Sequence, residues 1–327
     1  MRVSKRFARA SQPGAPGVAA LRKLAILSSL VAALLGSASP AQAATGERVS
    51  FDSLDIDPET GQPVTISALY FRPAADASNK LPAVVALHGC GGMYRTLPAR
   101  RDRLTERHQA MADLLVAEGY AVLFPDSFNP RGRREVCSLE IREQWITQDH
   151  RRLDVLAALG YLRARPDIDG SRVALLGWSH GGSAVLATMN RRHPVVIQFL
   201  AAQDRADVFY RTAIAFYPGC FASLRTRFGY APAAPVSLFI GEADDWTSPK
   251  PCVSLGEKMA ADNEPLQVRS YPDTYHGFDA PNMTHPLHLD VPTGVYPGQG
   301  VTIAPNRAAR DDAYARMKEQ LRAALAR

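Results

Sequence analysis

Val173-Ala-Leu-Leu-Gly-Trp-Ser-His-Gly-Gly-Ser183 is the stretch whose reading decides the fold. It opens with four apolar residues in a row, as expected of a strand buried on both faces of a parallel sheet. Gly177-Trp178-Ser179-His180-Gly181 then fits the pattern G-x-S-x-G, and Ser183-Ala-Val-Leu-Ala-Thr-Met189 continues as a helix. A strand turning sharply into a helix over such a motif holds the serine hydroxyl above the sheet edge. The two motif glycines leave space that a Cβ would crowd. The helix brings its unpaired N–H groups and positive dipole end to the same spot.

Apolar strand-like segments recur on both sides of this stretch, at 81–87, 120–125, 212–217, 235–240 and 266–271. Helical segments are expected at 104–118, 147–163 and 306–325. This alternation predicts an α/β domain, with a mostly parallel sheet and helices on both faces. Two more strands, 48–56 and 64–73, precede it and are joined by an Asp-Pro-Glu-Thr-Gly-Gln-Pro turn. The stretch 193–210 has no clean period and reads as an excursion that could pass over the site.

Arg2, Lys5, Arg6, Arg9, Arg22 and Lys23 precede an apolar run from Leu24 to Leu35, and a small-residue end, Ala41-Gln42-Ala43, follows it. That order predicts a signal peptide over 1–43, leaving one domain over 44–327 in a secreted or periplasmic protein with no stable membrane anchor. Removing those six basic residues from the 38 in the chain leaves 32, equal to the 32 acidic ones. No basic surplus then remains to neutralise phosphates, so nucleic acid is not an expected partner. No repeat or low-complexity linker divides the mature chain. Export permits disulfides among Cys90, Cys137, Cys220 and Cys252. No C-x-x-C spacing suggests zinc, and the three possible pairings stay open at this point.

Ligand and catalytic sites in such sheets form beyond the carboxyl ends of the strands, and the chemically able residues fall there. Ser179, Asp244 and His276 supply a nucleophile, an acid and a base, with Asp245 as the neighbouring alternative for the acid. A serine hydroxyl needs a histidine to accept its proton, and a carboxylate must hold that histidine in the right tautomer. The oxyanion needs backbone donors, expected at His180 and at Cys90 or Gly91 in the loop His88-Gly89-Cys90-Gly91-Gly92. His88 is expected to orient this loop, His180 to carry an exposed ring, Asp126 to cap a turn and Glu242 to be a solvated or structural acid. Arg131, Arg133 and Arg134 could grip a substrate carboxylate, against the reading of a solvated basic loop.

The chain order Ser…Asp…His is that of α/β-hydrolases. Leu87-His-Gly-Cys-Gly-Gly92, Glu118-Gly-Tyr-Ala-Val-Leu-Phe-Pro-Asp126, Gly177-Trp-Ser-His-Gly-Gly182, Gly241-Glu-Ala-Asp244 and Tyr275-His-Gly-Phe278 together resemble the dienelactone hydrolase family. The resemblance implies a single domain, no cofactor, and hydrolysis of small esters or lactones, with Ser179 as nucleophile, Asp244 as acid and His276 as base. Founding members of the family carry cysteine where this chain has Ser179, so the implied enzyme is a serine carboxylester hydrolase acting on a small or polymer-borne ester. The family's sheet order sets strands 81–87 and 120–124 side by side, and likewise 212–217 and 235–240. It thereby implies disulfides Cys90–Cys137 and Cys220–Cys252. The rival readings are a peptidase or acyltransferase using the same three residues, and a non-catalytic binding protein on a hydrolase fold.

Overall fold

A computed structural model of the chain describes residues 43–74, 79–203, 209–281 and 287–326. The expected signal peptide, 1–43, lies outside the described residues except for Ala43.

Apolar runs become the middle of a sheet. β3 (Leu81–Leu87), β4 (Ala121–Asp126), β5 (Ile168–Trp178), β6 (Thr212–Phe216) and β7 (Val236–Gly241) are buried over most or all of their length. Such strands need helices on both faces to cover them. The outer strands β1 (Glu47–Ile56), β2 (Pro63–Phe71) and β8 (Leu266–Tyr271) mix buried with exposed positions, as edges do. Among the described residues the sheet has eight strands in the order β1-β2-β4-β3-β5-β6-β7-β8. β1, β2 and β4 pair antiparallel, and the remaining neighbours pair parallel.

Two cores lie on the two faces. On one, α2 (Gln148–Ala164), α3 (His180–Met189) and α6 (Lys250–Ala261) cover the sheet through Leu156, Leu159, Val185, Leu186, Cys252 and Leu255. On the other, α1 (Glu106–Ala117) packs through Met111 and Leu115, and α7 (Arg307–Leu325) through the stripe Ala309, Ala313, Met317 and Leu321. That four-residue spacing is one face of a helix, and each large apolar side chain buried there stabilises by about 1.5–3 kcal/mol. Among the described residues no helix is long and apolar enough to cross a membrane.

Residues 193–201 depart from the expected excursion over the site. Pro194–Ala201 forms helix α4, whose Val196 is buried in the same core as α2 and α3. Asn190, at the far end of α3 from Ser179, accepts from the His193 N–H through its carbonyl, and Gln203 accepts from Arg163 near the end of α2. The segment therefore packs at the end of the sheet opposite Ser179. The short α5 (Phe221–Arg225), α6, and the ribbon of β9 (Leu287–His288) with β10 (Val301–Thr302) are further elements that the sequence did not announce.

Both expected disulfides are present, Cys90–Cys137 and Cys220–Cys252. Their strands are neighbours as implied, since β3 pairs with β4 and β6 with β7.

Candidate active site

Ser179 sits between β5 and α3 with φ 52° and ψ −118°, a conformation L-residues avoid. Such strain costs of order 1–3 kcal/mol and persists only where the surroundings impose it. Here they do. A Cβ on Gly177 would stand 2.5 Å from the Gly181 carbonyl oxygen, and one on Gly181 would stand 2.3 Å from that of Leu87. The elbow and the loop after β3 are thus in backbone contact, which only glycine allows. The Ser179 N–H donates to Phe216 O at 2.9 Å, locking the elbow to the end of β6.

The loops after β7 and β8 bring an acid to a histidine. His276 Nδ1 lies 2.8 Å from Asp244 Oδ2, with both side chains buried. Asp244 Oδ1 accepts the N–H groups of Trp246 (2.9 Å) and Thr247 (2.8 Å), and Thr247 Oγ1 lies 3.0 Å from Oδ2. A carboxylate can only accept here, so the neutral imidazole donates its Nδ1–H to Asp244, which leaves Nε2 as the basic nitrogen. Asp245 is engaged elsewhere: its carboxylate accepts the N–H (2.8 Å) and hydroxyl (2.7 Å) of Thr302 in β10. The geometry thus sets Asp244, and not its neighbour, beside His276.

Two aromatic rings confine the imidazole, Tyr217 at 4.5 Å and Trp246 at 4.8 Å between ring centres. Tyr217 follows Phe216 directly, so the residue that accepts from Ser179 N–H is next to one that packs on His276. Tyr217 OH donates to Asp279 Oδ1 (2.6 Å), and the indole N–H of Trp178 donates to Oδ2 (2.8 Å). One buried carboxylate therefore ties the residue before Ser179 to the ring beside His276. Arg107 completes this knot, donating to Tyr217 OH at 2.6 Å and lying 3.7 Å from Asp279.

On the other side of Ser179, Gly92 N–H donates to Gly89 O at 3.2 Å and closes a turn. The N–H groups of Cys90 and Gly91 lie outside that hydrogen bond. His180 is the first residue of α3, where an N–H has no intrahelical acceptor. Cys90 is tethered through its disulfide to Cys137 and through its carbonyl to Val136 N–H at 2.8 Å. His88 is fully buried, and its Nδ1 lies 2.8 Å from Gly89 O, consistent with orienting the loop. Burial, and then the charge of Arg151, hold its ring neutral well below the usual histidine range.

Two expectations need correction, those for His180 and Arg131. The His180 ring is not exposed: it is half-buried, set edge-on to Phe128 and 2.9 Å from Arg151 Nη1 through its Nδ1. Burial and the Arg151 charge push its pKa down to about 3. Arg131 faces inward and pairs with Asp55 (2.6 Å) and Asp154 (2.8 Å), because a buried guanidinium needs carboxylates. Arg134 directs its guanidinium to the backbone carbonyls of Arg101 and Arg95, at 3.3 and 3.5 Å. Arg133 is exposed. Asp126 caps the turn after β4, accepting from Phe128 and Asn129 N–H groups, and Glu242 accepts from Ser270.

Arg151, Thr247, Tyr217 and Asp279 were missed from sequence. Arg151 alone left a trace, lying one helical turn before Val155 and two before Leu159 on the buried stripe of α2.

An elbow serine, a buried Asp–His pair and open N–H groups at one edge of a parallel sheet define an α/β-type hydrolase site. Residues 66–325 match the model of the dienelactone hydrolase family, and the chain belongs to that family. It is 36% identical over 155 residues to the quorum-quenching protein AidA of Acinetobacter baumannii (strain MDR-ZJ06). That match covers 46% of this chain and 42% of the relative, less than half of either. A dienelactone hydrolase-like promiscuous phosphotriesterase from metagenomic libraries superposes with a TM-score of 0.60 at 18% identity, covering 86% of this chain and 99% of that one. A thermophilic esterase of Thermogutta terrifontis does so with a TM-score of 0.55 at 15% identity, over 85% and 92%. At these identities the likeness is one of fold.

Proposed function

We propose that this protein is a secreted serine hydrolase that cleaves carboxylic esters or lactones through Ser179, His276 and Asp244. The observation that carries the reading is the buried hydrogen bond between Asp244 and His276, on loops flanking the strained Ser179 elbow. Ser179 Oγ attacks the carbonyl carbon and gives its proton to His276 Nε2. The oxyanion is received by the N–H of His180 and by that of Cys90 or Gly91. His276 then protonates the departing alcohol, leaving an acyl-serine. Water, deprotonated by the same ring, attacks this ester, and the acid departs as Ser179 regains its proton.

A lactone follows the same course, its alcohol remaining tethered to the acyl group. Lactones stand beside open esters on the strength of the family and of the quorum-quenching relative. Arg133 and Arg134, both exposed on the loop after β4, remain the candidate partners for a substrate carboxylate. The order of charge, apolar run and small residues over 1–43 supports export, as do two disulfides.

Intact-mass labelling with a fluorophosphonate tests this. One adduct on the wild type and none on Ser179→Ala, with turnover of short-chain esters by the wild type alone, is the expected result. An unlabelled, inactive wild type would put the non-catalytic binding protein in its place.

A further inference from the structure

The helix α2 carries, in its first turn, an arginine that no part of the proposed chemistry uses. Arg151 is fully buried, with its guanidinium 5.2 Å from the centre of the Phe128 ring. Its Nη2 donates to the carbonyl of His88 at 2.8 Å, and its Nη1 lies 2.9 Å from His180 Nδ1. His88 is the residue before the Gly89-Cys90-Gly91 turn, and His180 is the residue after the nucleophile. One planar guanidinium thus reaches both halves of the oxyanion-binding backbone, which are separate in sequence and meet only in the fold.

A guanidinium can only donate, so His180 Nδ1 must accept and the proton of the neutral ring sits on Nε2. The joint is tight, since a Cβ on Gly181 would stand 2.5 Å from the same His88 oxygen that Arg151 holds. A shift of either loop would change the distance between the two sets of N–H groups. Oxyanion donors act only within a few tenths of an ångström of the right place.

The charge matters as well. Among the described residues no carboxylate is hydrogen-bonded to Arg151, although Asp154 and Asp126 act on it at longer range. Burial lowers its pKa to about 10, so it stays protonated at neutral pH. A cation behind the donors raises the positive potential where a negative charge would form.

We infer that Arg151 is a positioning residue that sets the geometry and potential of the oxyanion hole, acting through His88 and His180. The inference rests on the proposed hydrolase reading, and the experiment separates the two. Fluorophosphonate titration of the wild type first counts its reactive Ser179, and all rates are then expressed per titrated site. Arg151→Lys keeps the charge and loses the fork, and should lower kcat for a p-nitrophenyl ester about tenfold. KM should stay within about twofold, because the oxyanion exists only in the transition state. Affinity for a trifluoromethyl ketone, which places an oxyanion in the same hole, should fall by about the same factor as kcat. His180→Leu retains the backbone donor and removes only the ring, with an expected loss of about threefold. It carries the test if Arg151→Lys does not fold. An unlabelled wild type would overturn the hydrolase reading itself. A labelled wild type, with kcat per site and ketone affinity unchanged in the folded variants, would overturn the role of Arg151 alone.

Discussion

On the side of Ser179 that carries His276, three buried or half-buried carboxylates accept hydrogen bonds; on the side that carries Gly89–Gly92, a buried guanidinium donates them. Asp244 holds the imidazole, Asp245 holds the β9–β10 ribbon beside it, and Asp279 holds the Tyr217 ring against it. Arg151 holds the His88 carbonyl and the His180 ring. In the proposed reaction the imidazole becomes positive while the oxyanion becomes negative. The Asp244 carboxylate lies against the imidazole and the Arg151 guanidinium behind the open N–H groups, so each developing charge meets its opposite with little reorganisation. The contrast lies in the groups nearest the two developing charges, Asp244 and Arg151, which one fold sets on either side of a single serine.

The sharpest way to break this contrast lies on the acid side. Asp244→Asn should lower kcat by about 10⁴-fold through loss of the proper His276 tautomer. Asp245→Asn should cost less than about tenfold, since its partner is Thr302 and not the ring. Ester hydrolysis by the two purified variants decides it, and equal losses would mean that the two carboxylates share the role.

Next in size is a comparison of the disulfides, one on each side. Removing Cys90–Cys137 or Cys220–Cys252 by paired serine substitutions should lower stability by about 2–4 kcal/mol each in guanidinium melts. Their sequence separations of 47 and 32 predict similar losses. Only the first variant should also lose kcat, because Cys90 belongs to the turn that offers N–H groups. A parallel loss of kcat in both would show that the disulfides act through the whole fold.

The smallest effect is the share of a single histidine in the pH dependence of stability, about 1.4 kcal/mol per pH unit. His180 and His108 are held near a pKa of about 3, and His88 is also well below 6.5, with burial the largest cause in each. The unfolded chain takes up these protons near 6.5 while the folded one does not. Stability should therefore be level above pH 6.5 and fall as the pH drops from there toward 4, by up to about 1.4 kcal/mol per pH unit for each histidine. His180→Leu should flatten that slope by one proton's worth, read from melts at several pH values. An unchanged slope would mean that His180 titrates normally in the folded protein.

Most of the fold was legible because its signals are local. The apolar runs of β3 to β7 and the caps and stripes of α1, α2 and α7 lie within a few residues of one another. The α4 segment was not, since its apolar residues Val195, Val196, Phe199 and Leu200 lack a polar face to reveal a period. Arg131 read as solvent-facing because composition cannot show that Asp55, 76 residues earlier, reaches it.

By itself the sequence determined that a serine stands on a glycine-flanked strand-to-helix turn, with an acid and a histidine following at later strand ends. Glycine and apolar spacing are enough for that, because a tight turn and a buried strand each restrict which side chains fit. Only the tertiary structure decided that Asp244 and not Asp245 meets His276. It alone made the His180 ring neutral, and it joined Trp178 to Asp279 across 101 residues. Those outcomes depend on which buried polar group finds a partner, and in a low-dielectric interior that partner is chosen by three-dimensional proximity, not by neighbours in the chain.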